Sequence, residues 1–255
     1  MHPEFTSSTL VRPMPSITSG KIGTLDAGTL RVAAAFPDPP FELVDSGKVS
    51  GFDVEWTQAI VADLALEWRL VPYEGSDFNG IFCGLDDGAC DCVASGATIT
   101  PAREAIADFC EPYFVSGQSL VVNFERTPRV HSIDDLAGLI LGVQHGNTSE
   151  PVAERLHAEG RIARVRKYAY HDIPKMLDDL EQGVIGAAMK LGPVMHWLTR
   201  SRPALRVVQE RITDEKLGIA VRKGNDALRQ AIDDSQRRLR DGGIYTRLAK
   251  KWLES

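Results

Sequence analysis

No stretch of the chain approaches the roughly 20 consecutive apolar residues that a membrane-spanning helix needs. Long basic runs are missing too. Arg237-Arg238 and Lys250-Lys251 read as helix surface, and a formal net charge of -6 argues against a nucleic-acid partner. There is no GxGxxG or Walker sequence, so a nucleotide cofactor has no support. Nor is there an HExxH, a serine elbow or an internal repeat. Cysteines number four, and Cys83, Cys90, Cys92 and Cys110 form no C-x-x-C pair and have no histidine near them in sequence. A zinc site is therefore not expected, and nothing calls for a metal or any other cofactor. Cys90 and Cys92 flank Asp91 in an apparent strand and are expected to share its inward face. Buried thiols are the reading adopted; a disulfide at Cys110 would instead mark an oxidising compartment.

What is present is the composition of a soluble globular protein, 43% hydrophobic and 25% charged over 255 residues, enough for one large domain or two ordinary ones. Met1 to Lys21 lacks the positive start and apolar run of a signal peptide. The Ser/Thr/Pro-rich opening, Thr6 to Ser19, is expected to be a flexible lead-in.

From Thr29 onward strands and helices alternate. Leu30 to Ala35 reads as a buried strand, followed by the loop Pro37-Asp38-Pro39-Pro40. Asp53 is expected to cap a helix from Val54 to about Leu66. A strand from Glu67 to Val71, a helix starting at Asp77 and a strand from Cys90 to Ser95 follow. Further strands are expected at Leu139 to Val143, Ala163 to Tyr168, Ile185 to Met189, Leu205 to Val208 and Leu217 to Arg222. Helices are expected at Pro151 to His157, Asp226 to Arg240 and Ile244 to Leu253. The alternation implies an α/β protein with largely parallel sheets and helices on both faces, in which ligands sit beyond the carboxyl ends of strands.

Ser95-Gly96-Ala97-Thr98-Ile99-Thr100-Pro101-Ala102-Arg103 lies at such a strand end. Gly96 lets the backbone approach a ligand, Thr98 offers a hydroxyl, Thr100 and Pro101 suit a helix start, and Arg103 follows with a planar fork that fits both oxygens of a carboxylate. In the second half, Gln144-His145-Gly146-Asn147-Thr148-Ser149 enters a helix. Its Thr148 and Ser149 hydroxyls and free amides form an anion-friendly corner.

The chain resembles the amino-acid-type (family 3) periplasmic solute-binding proteins of ABC importers. The likeness runs from Thr29 to Leu253 through Pro40-Phe41-Glu42, Gly51-Phe52-Asp53, Asp77-Phe78-Asn79-Gly80-Ile81, the Ser95 to Arg103 stretch, Phe109-Cys110-Glu111-Pro112-Tyr113, Asp134-Asp135-Leu136-Ala137-Gly138, Gly142-Val143-Gln144-His145-Gly146 and Gly218 to Gly224. The resemblance implies a two-lobed periplasmic-binding-protein type II fold with a two-strand hinge. Residues 1–28 would be the lead-in, 29–117 with 215–255 the discontinuous first lobe, and 118–214 the second. It implies capture of a small carboxylate-bearing solute by lobe closure, an ABC transporter permease as partner, a periplasmic or extracytoplasmic location, a monomer and no catalysis. Arg103, Thr98 and Gly96 would hold the ligand's carboxylate with help from Thr148, and Phe78 would cover it.

The chain departs from this pattern where the family acid that pairs with a ligand's α-ammonium should fall, since the match puts Leu191 there. Two readings of Asp38 stand: a turn residue, or an acid that has taken over the ammonium from the opposite lobe. Two also stand for Lys190: a surface side chain, or a second positive charge beside Arg103 for a ligand without an α-ammonium. A cyclohexadienyl-dehydratase-like enzyme, with Asp38 or Glu111 as proton donor, and the ligand-sensing domain of a receptor remain alternatives on the same scaffold.

Overall fold

The computed structural model describes residues 22–254; the expected lead-in from Thr6 to Ser19 lies outside them. Its α/β architecture is built on two five-stranded sheets, each buried on both faces. The first places Glu67–Tyr73, Thr29–Ala35, Cys92–Val93, Ala220–Arg222 and Ala107–Phe109 side by side in that order. Thr29–Ala35 is parallel to its two neighbours, while Ala220–Arg222 runs antiparallel to both of its own. The second sheet orders Arg164–Tyr168, Ile140–Gln144, Ala187–Leu191, Gln118–Asn123 and Leu205–Gln209. Its first three strands are parallel and Gln118–Asn123 is antiparallel to both neighbours.

Strand periodicity divides the first lobe's core into two. Val32, Cys92 and Val221 join Trp56, Ile60 and Leu228 under the helices Phe52–Asp63 and Asp226–Asp241. Their neighbours Ala33, Val93 and Ala220 point the other way, toward Ile81, Phe82 and Leu85. Chain order takes the polypeptide from one lobe to the other through Phe114–Ser116 and back through Glu215–Leu217, which pair antiparallel with Glu215 opposite Ser116. Residues of the second lobe complete the first lobe's packing: Leu191 and Val194 join one of its cores and Tyr170 the other.

Several local expectations change. Gly51 precedes the helix Phe52–Asp63, so Asp53 falls inside the first turn and is buried rather than capping it. Cys90 and Cys92 do not share a face. The Asp91 carboxylate accepts from the Leu25 and Arg31 amides at 2.6 and 2.7 Å, which bends the chain there, so the strand begins only at Cys92 and the two thiols enter different cores. All four cysteines are free thiols, Cys83 exposed and the other three buried. The strand expected from Leu217 to Arg222 is two strands separated at Gly218-Ile219, one in the hinge and one in the sheet. Packing also starts before the expected boundary at 29, because Ile22 is already part of the first core.

Candidate functional site

Arg103 owes its position to a one-turn helix, Pro101–Glu104. Thr100 caps it by accepting from the Arg103 amide, and Pro101 begins it. The guanidinium is buried, yet every acceptor it meets is neutral: Nε donates to Asn79 Oδ1 at 3.2 Å, and the terminal nitrogens donate to the Thr98 carbonyl at 3.0 Å and the Gly146 carbonyl at 3.2 Å. Among the described residues no carboxylate lies within ion-pairing distance of it. Burial lowers its pKa to about 10, opposed by the charges of Glu215 and Asp77, so it remains a cation at neutral pH. Three of its five N–H groups are placed by these bonds, leaving two for a further acceptor.

Phe78 lies beneath this cation, 5.0 Å from ring centroid to guanidinium carbon. Tyr170 of the second lobe is stacked on the Phe78 ring at 5.2 Å. Lys190 Nζ sits 5.6 Å from the centre of the Tyr170 ring. The result is a cross-lobe stack with a cation at each end and two aromatic rings between, an arrangement that the negative ring faces favour.

Lys190 is neither a surface side chain nor paired at the surface. It belongs to the strand Ala187–Leu191, is 2% exposed, and reaches across to the first lobe, where its ammonium lies 3.0 Å from Asp38 Oδ1 and 3.1 Å from Oδ2. It also donates to Gln144 Oε1. Asp38 is at once a turn residue, since its carbonyl accepts from the Phe41 and Glu42 amides, and an acid that takes an ammonium from the opposite lobe; that ammonium is the chain's own. Leu191, next in sequence, packs with Phe41 and Leu217 and offers nothing polar.

The hydroxyls singled out in the sequence meet another internal group. Thr98 and Thr148, from opposite lobes, each donate to Glu215 Oε2 at 2.7 Å. Gln118 Nε2 at 2.9 Å and Thr213 Oγ1 at 2.7 Å complete the carboxylate's shell. Ser149 opens the helix Ser149–Ala158, and its buried hydroxyl has no partner. Gly96 has φ +54, but its amide is donated to Asp53 Oδ2 at 2.6 Å.

Sequence reasoning missed the acids behind this strand end. Asp53 also accepts from the Tyr113 hydroxyl at 2.7 Å; burial raises its pKa to about 6. Glu42 is fully buried with both carboxyl oxygens unpartnered. Burial first, then the carboxylates of Asp53 and Asp38, push its pKa well above the usual range. Both acids stood in the quoted motifs Pro40-Phe41-Glu42 and Gly51-Phe52-Asp53, and a carboxyl directly after a phenylalanine in each was the available signal. Glu111 is far from this cluster in role: it is exposed and pairs with Arg237 at 2.7 Å.

The lobes also touch through backbone. The Phe78 amide donates to the His145 carbonyl at 3.2 Å and the Tyr170 amide to the Ser76 carbonyl at 2.9 Å. Gly146 makes the closest approach. At φ +76, a Cβ placed on it would lie 1.9 Å from Asp77 Oδ1 and 2.7 Å from the Phe78 nitrogen. Outside this seam a groove of about 940 Å³ opens between the lobes, lined by Asp77, Asn79, Arg103, His145 and Thr148 among others.

The sequence profile of the bacterial extracellular solute-binding proteins, family 3, matches residues 30–255. The L-cystine-binding protein TcyJ of Escherichia coli (strain K12) is 30% identical over 231 residues, covering 89% of this chain and 84% of the relative. Among solved structures, an ancestral arginine-binding protein bound to arginine superposes with a TM-score of 0.81 at 33% identity, over 89% of this chain and 98% of that one. An ancestral amino acid-binding protein, a precursor of cyclohexadienyl dehydratase, superposes with a TM-score of 0.79 at 30% identity, over 89% and 96%.

Proposed function

Because the chain belongs to the bacterial extracellular solute-binding proteins, family 3, we propose that it captures a small carboxylate-bearing solute between its two lobes and hands it to the membrane permease of an ABC importer. The solute is an amino acid, an amino-acid derivative or an organic acid, and the protein works outside the cytoplasm as a monomer without chemistry of its own. Relatives named for binding cystine and histidine, and a neighbour bound to arginine, support the solute class.

One observation carries the carboxylate: Arg103 is a buried cation whose acceptors are all neutral. A guanidinium removed from water without an anion is costly, and a ligand carboxylate supplies that anion with charge-assisted bonds strengthened by the exclusion of water. Thr98, Thr148 and Ser149 then serve the same carboxylate, with Glu215 moving off the two threonine hydroxyls, and Gly96 keeps the strand end close. Phe78 forms the apolar floor, and Asp38, Lys190 and Leu191 define the far end.

A thermal-shift screen of amino acids against organic acids tests this. A ligand at 100 times its Kd stabilises the fold by about 2.7 kcal/mol. At least one carboxylate is expected to raise the melting temperature, and Arg103→Ala to abolish the rise. The reading fails if the strongest ligands carry no carboxylate or if the Ala variant binds normally.

A second reading, a dehydratase on this scaffold, draws on Glu42, a buried carboxyl whose pKa burial pushes well above the usual range, the direction that a proton donor to a leaving hydroxyl needs. Its test is loss of a cyclohexadienyl carboxylic acid by dehydration, followed by absorbance. Activity that survives in Glu42→Gln, or no activity in the wild type, removes it.

A further inference from the structure

Four observations converge on the buried seam where Lys190 meets Asp38. Lys190 is held on a central strand of the second sheet, with Ser119 opposite it on the antiparallel neighbour. Its ammonium is fixed by Asp38 and Gln144 and backed by the Tyr170 ring. Asp38 reaches across from the first lobe, and the Lys190 ammonium lies 3.0 and 3.1 Å from its two oxygens, with a hydrogen bond to Oδ2. The other acids nearby are poorer partners: Asp53 is committed to Gly96 and Tyr113, and Glu42 is fully buried, which favours its uncharged form.

An incoming ammonium group therefore meets a buried ammonium in the place where an acceptor would be needed. Like charges repel most strongly where water is excluded, and a repulsive element of this kind discriminates between ligands that share every other group. The opposite end is unaffected, because Arg103 lies beyond two stacked rings from Lys190.

We propose that Lys190 is a specificity-determining residue whose ammonium takes the seat of a ligand's α-ammonium on Asp38, so that the cleft selects carboxylic acids without an amino group, such as 2-hydroxy and 2-oxo acids, over the matching amino acids. The proposal rests on the carboxylate reading above and deepens it.

The test is calorimetric binding of matched sets to the full chain: alanine, lactate and pyruvate; leucine with its 2-hydroxy and 2-oxo acids; glutamate, 2-hydroxyglutarate and 2-oxoglutarate; and phenylalanine, phenyllactate and phenylpyruvate. In the wild type the amino-free members are expected to bind at least tenfold tighter within any set that binds. Lys190→Gln frees Asp38 and is expected to move the ratio at least tenfold toward the amino acid, and Lys190→Met, unbranched, one atom shorter and with no donor, to do the same. Should both variants fail to fold, the wild-type ratios alone decide. Tighter binding of the amino acid by the wild type, an unchanged ratio in a folded variant, or no binding in any set overturns the proposal. Arg103→Ala separates the two readings: amino acids preferred by the wild type and lost in Arg103→Ala overturn the Lys190 assignment while leaving the carboxylate anchor intact.

Discussion

Lys190 and Asp38, 152 residues apart in the chain, meet across the two lobes at 3.0 Å with almost no solvent access to either. Desolvation acts on both charges, and the balance shows in Asp38, whose pKa burial raises despite the lysine beside it. Such a pair is worth more as a pair than as parts. Removing one partner of a buried ion pair costs about 3–5 kcal/mol, whereas replacing both by groups of similar shape is often near neutral. Lys190→Met is expected to lose stability on that scale and Lys190→Met with Asp38→Asn to recover most of it, measured by urea unfolding as a double-mutant cycle. Additive losses would mean that the two residues do not interact.

Gly146 sets how far the lobes can approach. Its left-handed backbone and the 1.9 Å distance from a Cβ position to Asp77 Oδ1 leave no room for a side chain in this arrangement. Gly146→Ala is expected to cost only about 1 kcal/mol of unfolding stability, the usual scale for alanine at positive φ, while weakening ligand binding at least tenfold and enlarging the radius of gyration in solution scattering. An alanine variant with native affinity and native dimensions would show that the seam is not limiting.

Glu215 holds two hydroxyls from opposite lobes on a single oxygen. A ligand carboxylate that uses Thr98 and Thr148 must displace a like charge of the chain. Glu215→Gln keeps the shape, exchanges one acceptor oxygen for an NH2 donor and removes the charge, so affinity for anionic ligands is expected to rise about tenfold, or roughly 1.4 kcal/mol. Weaker binding in this variant would place Glu215 among the ligand's allies.

Asp53 gives a pH signature. Its carboxyl titrates at about 6 in the fold against 3.8 unperturbed. Between those values the folded chain keeps a proton that the unfolded chain has released, so this group's contribution is most favourable below about pH 4 and is lost as pH rises through 6. Two pH units correspond to roughly 3 kcal/mol. Asp53→Asn carries no such group, and its stability relative to the wild type is expected to improve between pH 4.5 and pH 7.5 in urea titrations. A constant difference across that range would place the Asp53 pKa in the ordinary range.

Much of the architecture was legible because strand and helix periodicities are local: Thr29–Ala35, Ile140–Gln144, Arg164–Tyr168 and the closing helices fall close to where alternation puts them. Arg103 was legible for the same reason, since its helix cap lies three residues before it. What local pattern does not contain is a partner at long range. Glu215 lies 117 residues from Thr98 and 67 from Thr148, and in sequence it is only the second of two adjacent acids, Asp214-Glu215. Lys190 looked like a surface residue because lysine usually is one; the acid that buries it sits in another lobe. Asp53 was misread as a cap because an acid ahead of a helix usually caps it, and only the fold brings Gly96 to its carboxylate.

The isolated bridge between Thr98 and Leu217 joins the strand end that carries the anchor hydroxyl directly to a crossing strand of three residues. Movement at the rim of each lobe equals the hinge rotation multiplied by the distance from the axis, so a change of backbone torsion too small to notice at Leu217 becomes several ångströms at the outer helices. A solute held at Thr98, as proposed above, would be registered next to the pivot, and a transporter would read it far away as the separation of two surfaces that never touch the solute.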